Sequence, residues 1–324
     1  MRYIILHQRQ DCISRYMLAD FEKQADTCVL FGVYQYRSQV VALLKKVFFY
    51  PKWNMSRDLP FRGFFYRWFA LQRMNAQMDE ACCVIITNEA LIDIDVSILK
   101  RWRKGHPNVR LCCLTIDPLD APYASAVIAK RKITEIGFDS VITFDLADAE
   151  KYGYQYTNSL YSAMELQKRG EVEQDVFFVS AAKQRLDMLH GVYRYLKQRG
   201  CRCHFSITGV EPKRQIQGEG LSYNHLISYD ELLLRLQGTD CILEVVQHGQ
   251  SGVTLRYYEA VVYNKKLLTN NENIRSMPFY NPKYMRIFHS VDEIDLEWIR
   301  SSERPDYHYN GEFSPLQIRE LFLK

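Results

Sequence analysis

The chain has 324 residues, 47% of them hydrophobic and 25% charged, with a formal net charge of +4. That length exceeds one ordinary core and predicts two domains of roughly 150 residues each. The small net charge excludes a strongly basic nucleic-acid-binding chain, and no run of about 18 apolar residues supplies a membrane-spanning helix.

The opening MRYIILHQRQ carries a four-residue apolar run, Tyr3 to Leu6, too short for the core of a secretion signal. A polar stretch with room for a helix over 14–24 leads to a second apolar run, Cys28 to Gly32. Cys82–Thr87 and Val109–Ile116 read as further buried strands. Between them, Ile94, Ile98, Leu99 and Trp102 recur at helical spacing before Gly105. Continuous apolar strands alternating with amphipathic helices predict a parallel sheet covered on both faces. Asp139–Phe144 adds a strand, and the acids after Asp145 suit a helix start.

The rhythm restarts at Val176–Val179, followed by a polar turn, 180–184, and a helix reaching Arg199. Cys203–Thr208, Cys241–Val246 and Lys266–Thr269 read as strands, with helices over 228–237 and 254–263. A boundary in the polar QKRGEVEQD stretch, near 165–175, divides the chain into domains over 1–170 and 171–324.

Nine cysteines include the adjacent pairs Cys82-Cys83 and Cys112-Cys113 and form no CxxC. An odd count with adjacent pairs argues against a disulfide framework, so packing roles in a reducing compartment, the cytoplasm, are expected.

Chemistry concentrates in Val245–Asn271. A buried strand runs into a polar, glycine-flanked turn, 247–252, which opens a helix. Ligands of open parallel sheets bind beyond the carboxyl ends of strands, where helix N-termini present free N–H groups to anions. Gly249 and Gly252 permit close backbone approach, while Gln250, Ser251 and Thr254 add neutral donors. Arg256 offers a fork for phosphate and Glu259, one turn on, an acceptor for ribose hydroxyls; their spacing equally fits an i,i+3 surface ion pair. His248 sits beside this turn, as a contact to phosphate or base or as an ordinary loop histidine.

Gly249-Gln250-Ser251-Gly252, Thr254, Arg256, Glu259-Ala260, Lys265-Lys266-Leu267, Thr269 and Asn271 together resemble the GT-B glycosyltransferases of bacterial lipopolysaccharide and capsule synthesis. The resemblance continues through Pro278–Pro282, the GFDSVITFDLADAEKYGY segment over 137–154, and Phe177–Leu196, which carries Ser180, Lys183 and Arg185. It implies two Rossmann-like domains facing an interdomain cleft. It also implies a nucleotide-diphosphate sugar held mainly by the C-terminal domain, transferred to a glycan or lipid-linked glycan acceptor. Arg185, Lys183 and Arg256 would neutralise the leaving diphosphate in place of a metal ion, with no resident cofactor. An inverting reaction would need a base beyond an N-terminal strand end; Asp117 and Asp11 are the candidates, each equally placed to be a turn or cap residue. A non-catalytic nucleotide- or glycan-binding module of a polysaccharide assembly system is the alternative reading.

Asp93-Ile94-Asp95 spells the DxD of metal-dependent sugar transferases, but its place before a helix favours capping. No Walker, GxSxG or GxGxxG signature follows a strand. Arg37–Arg73 holds eight basic residues, one acid and ten aromatics. Residues 40–73 thus fit either peripheral contact with the inner face of a membrane or helices whose rings pack on the sheet.

Overall fold

Alternating burial is absent from the strands, because helices cover both faces of each sheet. The computed structural model of the chain describes residues 1–8, 13–72, 82–158, 160–165, 173–247 and 252–323. It forms two units, Met1–Ser162 with Glu312–Lys324, and Ala163–Gly311. The last segment, expected with the second domain, packs instead on the first unit: Ile318 and Phe322 join its core, and Ser314 Oγ donates to Asp20 Oδ2 at 2.7 Å.

The first unit places β1 (Arg2–His7), β2 (Thr27–Phe31), β3 (Cys82–Thr87), β4 (Val109–Thr115), β5 (Ser140–Thr143) and β6 (Gln155–Tyr156) in the order β2-β1-β3-β4-β5-β6, all parallel. Around them lie α1 (Ile13–Met17), α2 (Ala19–Glu22), α3 (Gln39–Phe48), α4 (Asn88–Leu91), α5 (Val96–Lys104), α6 (Ala124–Ile136) and α7 (Leu146–Tyr152). The helix expected over 14–24 is thus two short pieces. Ile4, Val84, Ile86 and Cys113 point into one core, while Ile5, Cys83, Ile85 and Cys112 point into the other. Adjacent cysteines therefore serve opposite faces. The Sγ atoms of Cys83 and Cys112 lie 3.6 Å apart, and the described cysteines are all free thiols.

The second unit contains β7 (Gln174–Ala181), α8 (Leu186–Gln198), β8 (Cys203–Thr208), β9 (Leu221–Tyr223), α9 (Tyr229–Gln237), β10 (Thr239–Glu244), α10 (Leu255–Val262), β11 (Lys266–Thr269), β12 (Met285–Ile287) and α11 (Leu296–Arg300). Its sheet, also parallel, runs β12-β11-β10-β7-β8-β9. The first strand of this unit thus lies centrally, with chain order running outward on both sides. That arrangement puts a topological switch point between β7 and β10, where the crossover helices part to opposite faces and leave a crevice at the carboxyl edge.

Candidate functional site

Both turns that carry the expected donor residues flank the β7/β10 switch point. Beyond β7, Lys183 takes φ 47°, a left-handed conformation uncommon for a non-glycine residue, and its side chain is exposed. Arg185 closes the same turn. Its Nε donates to Ala181 O at 3.3 Å, its Nη2 to Ser180 Oγ at 2.5 Å and to Ala181 O at 3.0 Å, and its Nη1 to Val245 O. The guanidinium therefore ties the ends of β7 and β10 together; burial lowers its pKa, opposed by the carboxylate of Glu244. Ser180 and Arg185 brace this edge, whereas Lys183 extends from it.

Across the switch point, Thr254 N-caps α10, its Oγ1 accepting from Arg256 N at 3.2 Å. The Thr254 hydroxyl donates to Glu244 Oε1 at 2.6 Å and its N–H to the same oxygen at 3.1 Å, while Thr269 Oγ1 donates to Glu244 Oε2 at 2.6 Å. Glu244 therefore pins the start of α10 to the ends of β10 and β11. Burial raises its pKa, and the threonine hydrogen bonds and Arg256 oppose the rise. Sequence reading missed this residue, although an acid closing the apolar run CIL was the available signal. Asn270 was missed too: it clamps Val246 in both directions, accepting from its N–H at 2.7 Å and donating to its carbonyl at 3.3 Å. Asn271 Nδ2 donates to Gly252 O at 3.3 Å, fixing the exit of the glycine turn.

Arg256 and Glu259 do form an i,i+3 ion pair, Nη1 to Oε2 at 2.7 Å, but it is a buried pair and not a surface one. Arg256 is 9% exposed and Glu259 fully enclosed. The two atoms meet as charges without the alignment of a hydrogen bond, and Glu259 Oε1 accepts from Tyr229 Oη at 3.3 Å. Burial pushes the Glu259 carboxyl up to about 7, with Arg256 and then the Tyr229 hydroxyl pulling it back. Neither residue can be truncated without cost to the fold, since removing one partner of a buried pair strands the other.

The paired lysines of the signature are structural. Lys265 Nζ donates to Gln237 O at 3.0 Å and Thr239 O at 2.6 Å; Lys266 Nζ donates to Trp298 O at 2.8 Å, Ile299 O at 3.1 Å and Ser301 O at 2.8 Å. Each buried ammonium thus satisfies carbonyls at a helix C-terminus, of α9 and α11 respectively.

In the first unit Asp117 lies exposed beyond β4, and its carbonyl accepts from Asn88 Nδ2 at 3.4 Å. His7, buried at the end of β1, has Nδ1 3.8 Å from Glu89 Oε2 beside β3, at this sheet's own switch point; sequence reading passed over both. A cleft of about 370 Å³ is lined by Gln8, Gly32, Tyr34, Tyr36, Lys45 and Asp93 among others. Asp95 N-caps α5, accepting from Ile98 N at 3.0 Å, and Asp93 Oδ2 meets Lys45 Nζ at 2.5 Å, so the DxD acids serve a cap and an ion pair. Among the described residues no group of three His, Cys, Asp or Glu is placed to hold a metal ion, and no helix is long and apolar enough to cross a membrane. Asp11, His248, Gly249, Gln250 and Ser251 lie outside the described residues.

No family model matches the chain, and no curated protein matches it in sequence. Solved structures do resemble it. The catalytic domain of starch synthase IV from Arabidopsis thaliana, bound to ADP and acarbose, is 9% identical with a TM-score of 0.55, over 100% of this chain and 99% of that one. UDP-N-acetylglucosamine 2-epimerase from Rickettsia bellii is 13% identical, TM-score 0.47, over 97% and 92%. The lipopolysaccharide outer core galactosyltransferase WaaB in its apo form is 11% identical, TM-score 0.44, over 90% and 88%. The chain spans about half, 48%, of the TarM structure it also matches. At such identities the likeness establishes the fold. The chain is an α/β protein of the GT-B type, built from two six-stranded parallel sheets.

Proposed function

We propose that this chain is a glycosyltransferase that takes a sugar from a nucleotide-diphosphate donor and passes it to a glycan acceptor, lipid-linked and destined for a surface polysaccharide. The observation that carries the reading is the convergence of an exposed lysine, a braced arginine and a threonine-capped helix N-terminus on the two turns flanking the β7/β10 switch point. Such an edge suits a diphosphate: the positive end of the α10 dipole and the exposed Lys183 offer favourable charge, and Arg256, paired with Glu259, adds to it from within the helix. The starch synthase domain that shares the fold is bound to ADP and acarbose, which accords with this choice of ligand.

In this reading Glu244 and Asn270 hold the turn geometry, Thr254 and Gly252 face the phosphates, and Lys183 neutralises charge as the leaving diphosphate departs. No resident metal or cofactor is assigned a role. Asp117 is the proposed acceptor-side base, standing exposed beyond a strand end.

Calorimetry and thermal shift against nucleoside diphosphates and their sugar conjugates test the donor site. A ligand at about 100 times its Kd should stabilise the fold by about 2.7 kcal/mol. Lys183→Gln, at an exposed position, should weaken diphosphate binding about tenfold, as expected for a lost charge-assisted contact, with the fold intact. If no nucleotide binds, the donor reading is wrong; if binding occurs but Lys183→Gln leaves it unchanged, the lysine assignment is wrong. Release of nucleoside diphosphate only when a glycan is added separates a transferase from a binding module.

A further inference from the structure

On most helices of a water-soluble unit the apolar stripe turns inward, and α3 departs from this. Val40 is 67% exposed, Leu43 63%, Leu44 37% and Val47 46%. These positions follow i, i+3, i+4, i+7 and so form one continuous stripe facing out, while Val41, off this stripe, is buried. The chain after α3 extends the same character. Trp53 and Phe64 are exposed, and Phe61, 83% exposed, sits at φ 65°, a left-handed conformation unusual for a bulky residue.

Between Arg37 and Trp68 the exposed charges have one sign. Arg37, Lys46, Lys52, Arg57 and Arg67 are exposed, and the Arg67 guanidinium stacks over Phe64 at 4.4 Å and Trp68 at 4.2 Å. The one acid of the stretch, Asp58, is half-buried and held by Arg62 and Arg131, each at 2.7 Å. Three of its surroundings therefore coincide: exposed aliphatics, aromatic rings at the margins and cations without exposed acids.

We propose that α3 and the segment following it to Trp68 form a docking surface for an anionic lipid bilayer. The stripe enters the boundary between head groups and acyl chains, the rings settle at head-group level, and the cations meet lipid phosphates. Charge complementarity selects this occupant over a second copy of the chain. A two-fold contact would set the same five cations of each copy against one another with no exposed acid of the segment between them. This surface belongs to the first unit and the donor residues to the second, so the two proposals stand or fall separately.

The test is co-sedimentation of the full chain with vesicles of phosphatidylcholine alone or with about one-third phosphatidylglycerol, at low and high salt. Binding is expected to the anionic vesicles, weakened by salt, and not to the neutral ones. Lys46→Gln with Lys52→Gln should lower affinity about twenty-five-fold, at about fivefold per charge. Leu43→Glu with Val47→Glu should lose binding by more than tenfold while keeping the thermal midpoint and any nucleotide affinity, because both side chains are exposed. The proposal is overturned by absence of binding to anionic vesicles, by full binding of the Leu43→Glu, Val47→Glu chain, or by a dimer in sedimentation velocity that this double substitution dissolves.

Discussion

Replacing Glu259 by Gln should change how stability depends on pH. The carboxyl is fully enclosed, and its pKa rises from the ordinary 4.5 to about 7. In the unfolded chain it loses its proton near 4.5, while in the folded chain it keeps it until about 7. Between those values the unfolded state binds fewer protons, so stability falls as pH rises, and the fall levels off above the folded value. At about 1.4 kcal/mol per pH unit, the window amounts to about 3 kcal/mol. Glutamine keeps the shape and an acceptor for the Tyr229 hydroxyl but cannot ionise. Urea unfolding of both chains from pH 4.5 to 8.5 gives the difference curve: Glu259→Gln should gain about 3 kcal/mol on the parent across the window and nothing more beyond it. A flat difference would mean that Arg256 fully compensates the buried carboxylate, and the argument that burial outweighs the ion pair would be refuted.

Lys266→Met leaves the α11 carbonyls of Trp298 and Ile299 without their donor, and should cost about 2–4 kcal/mol in denaturant unfolding while nucleotide affinity stays unchanged. A tenfold loss of affinity with stability preserved would make this lysine a ligand. Burial, then the neighbouring Arg235, lowers the His204 pKa to about 4, so the folded ring resists a proton that the unfolded chain accepts below 6.5. Stability from this group is complete above pH 6.5 and lost as pH falls towards 4; His204→Phe should flatten that acid limb, and an unaltered limb would exclude His204 as its source.

The larger strands were legible because a parallel sheet covered on both faces needs unbroken apolar runs, and CCVIIT, VFFV and CILE supply them. Edge strands β6, β9 and β12 have two or three residues each, too few to show a period. Helix α6 escaped because Lys132 occupies its inner face among Ile128, Ala129 and Ile133. That lysine looks solvent-bound in sequence, yet it is buried and donates to Leu91 O at 2.9 Å and Ile92 O at 3.3 Å. The split of α1 from α2 was equally hidden, since Ser162 Oγ, 142 residues away, accepts the N–H of Asp20 at the start of α2.

At the candidate site, spacing pointed to the carboxyl edge of β10 but could not tell exposed polar groups from enclosed ones. Polar residue types read as accessible, and in this signature burial sorts them otherwise. Lys265, Lys266, Glu259 and Thr269 are all below a twentieth exposed, while Lys183 is open and Gly252 and Thr254 are half-buried. The enclosed members share one task. Glu244 with Thr269 fixes where α10 begins, Arg256 with Glu259 packs its first turns, and the lysines close the helices on either side. If α10 meets an anion as proposed, its N-terminus must keep one aim, and on that reading most of the polar signature would hold that aim while few of its residues would touch the ligand.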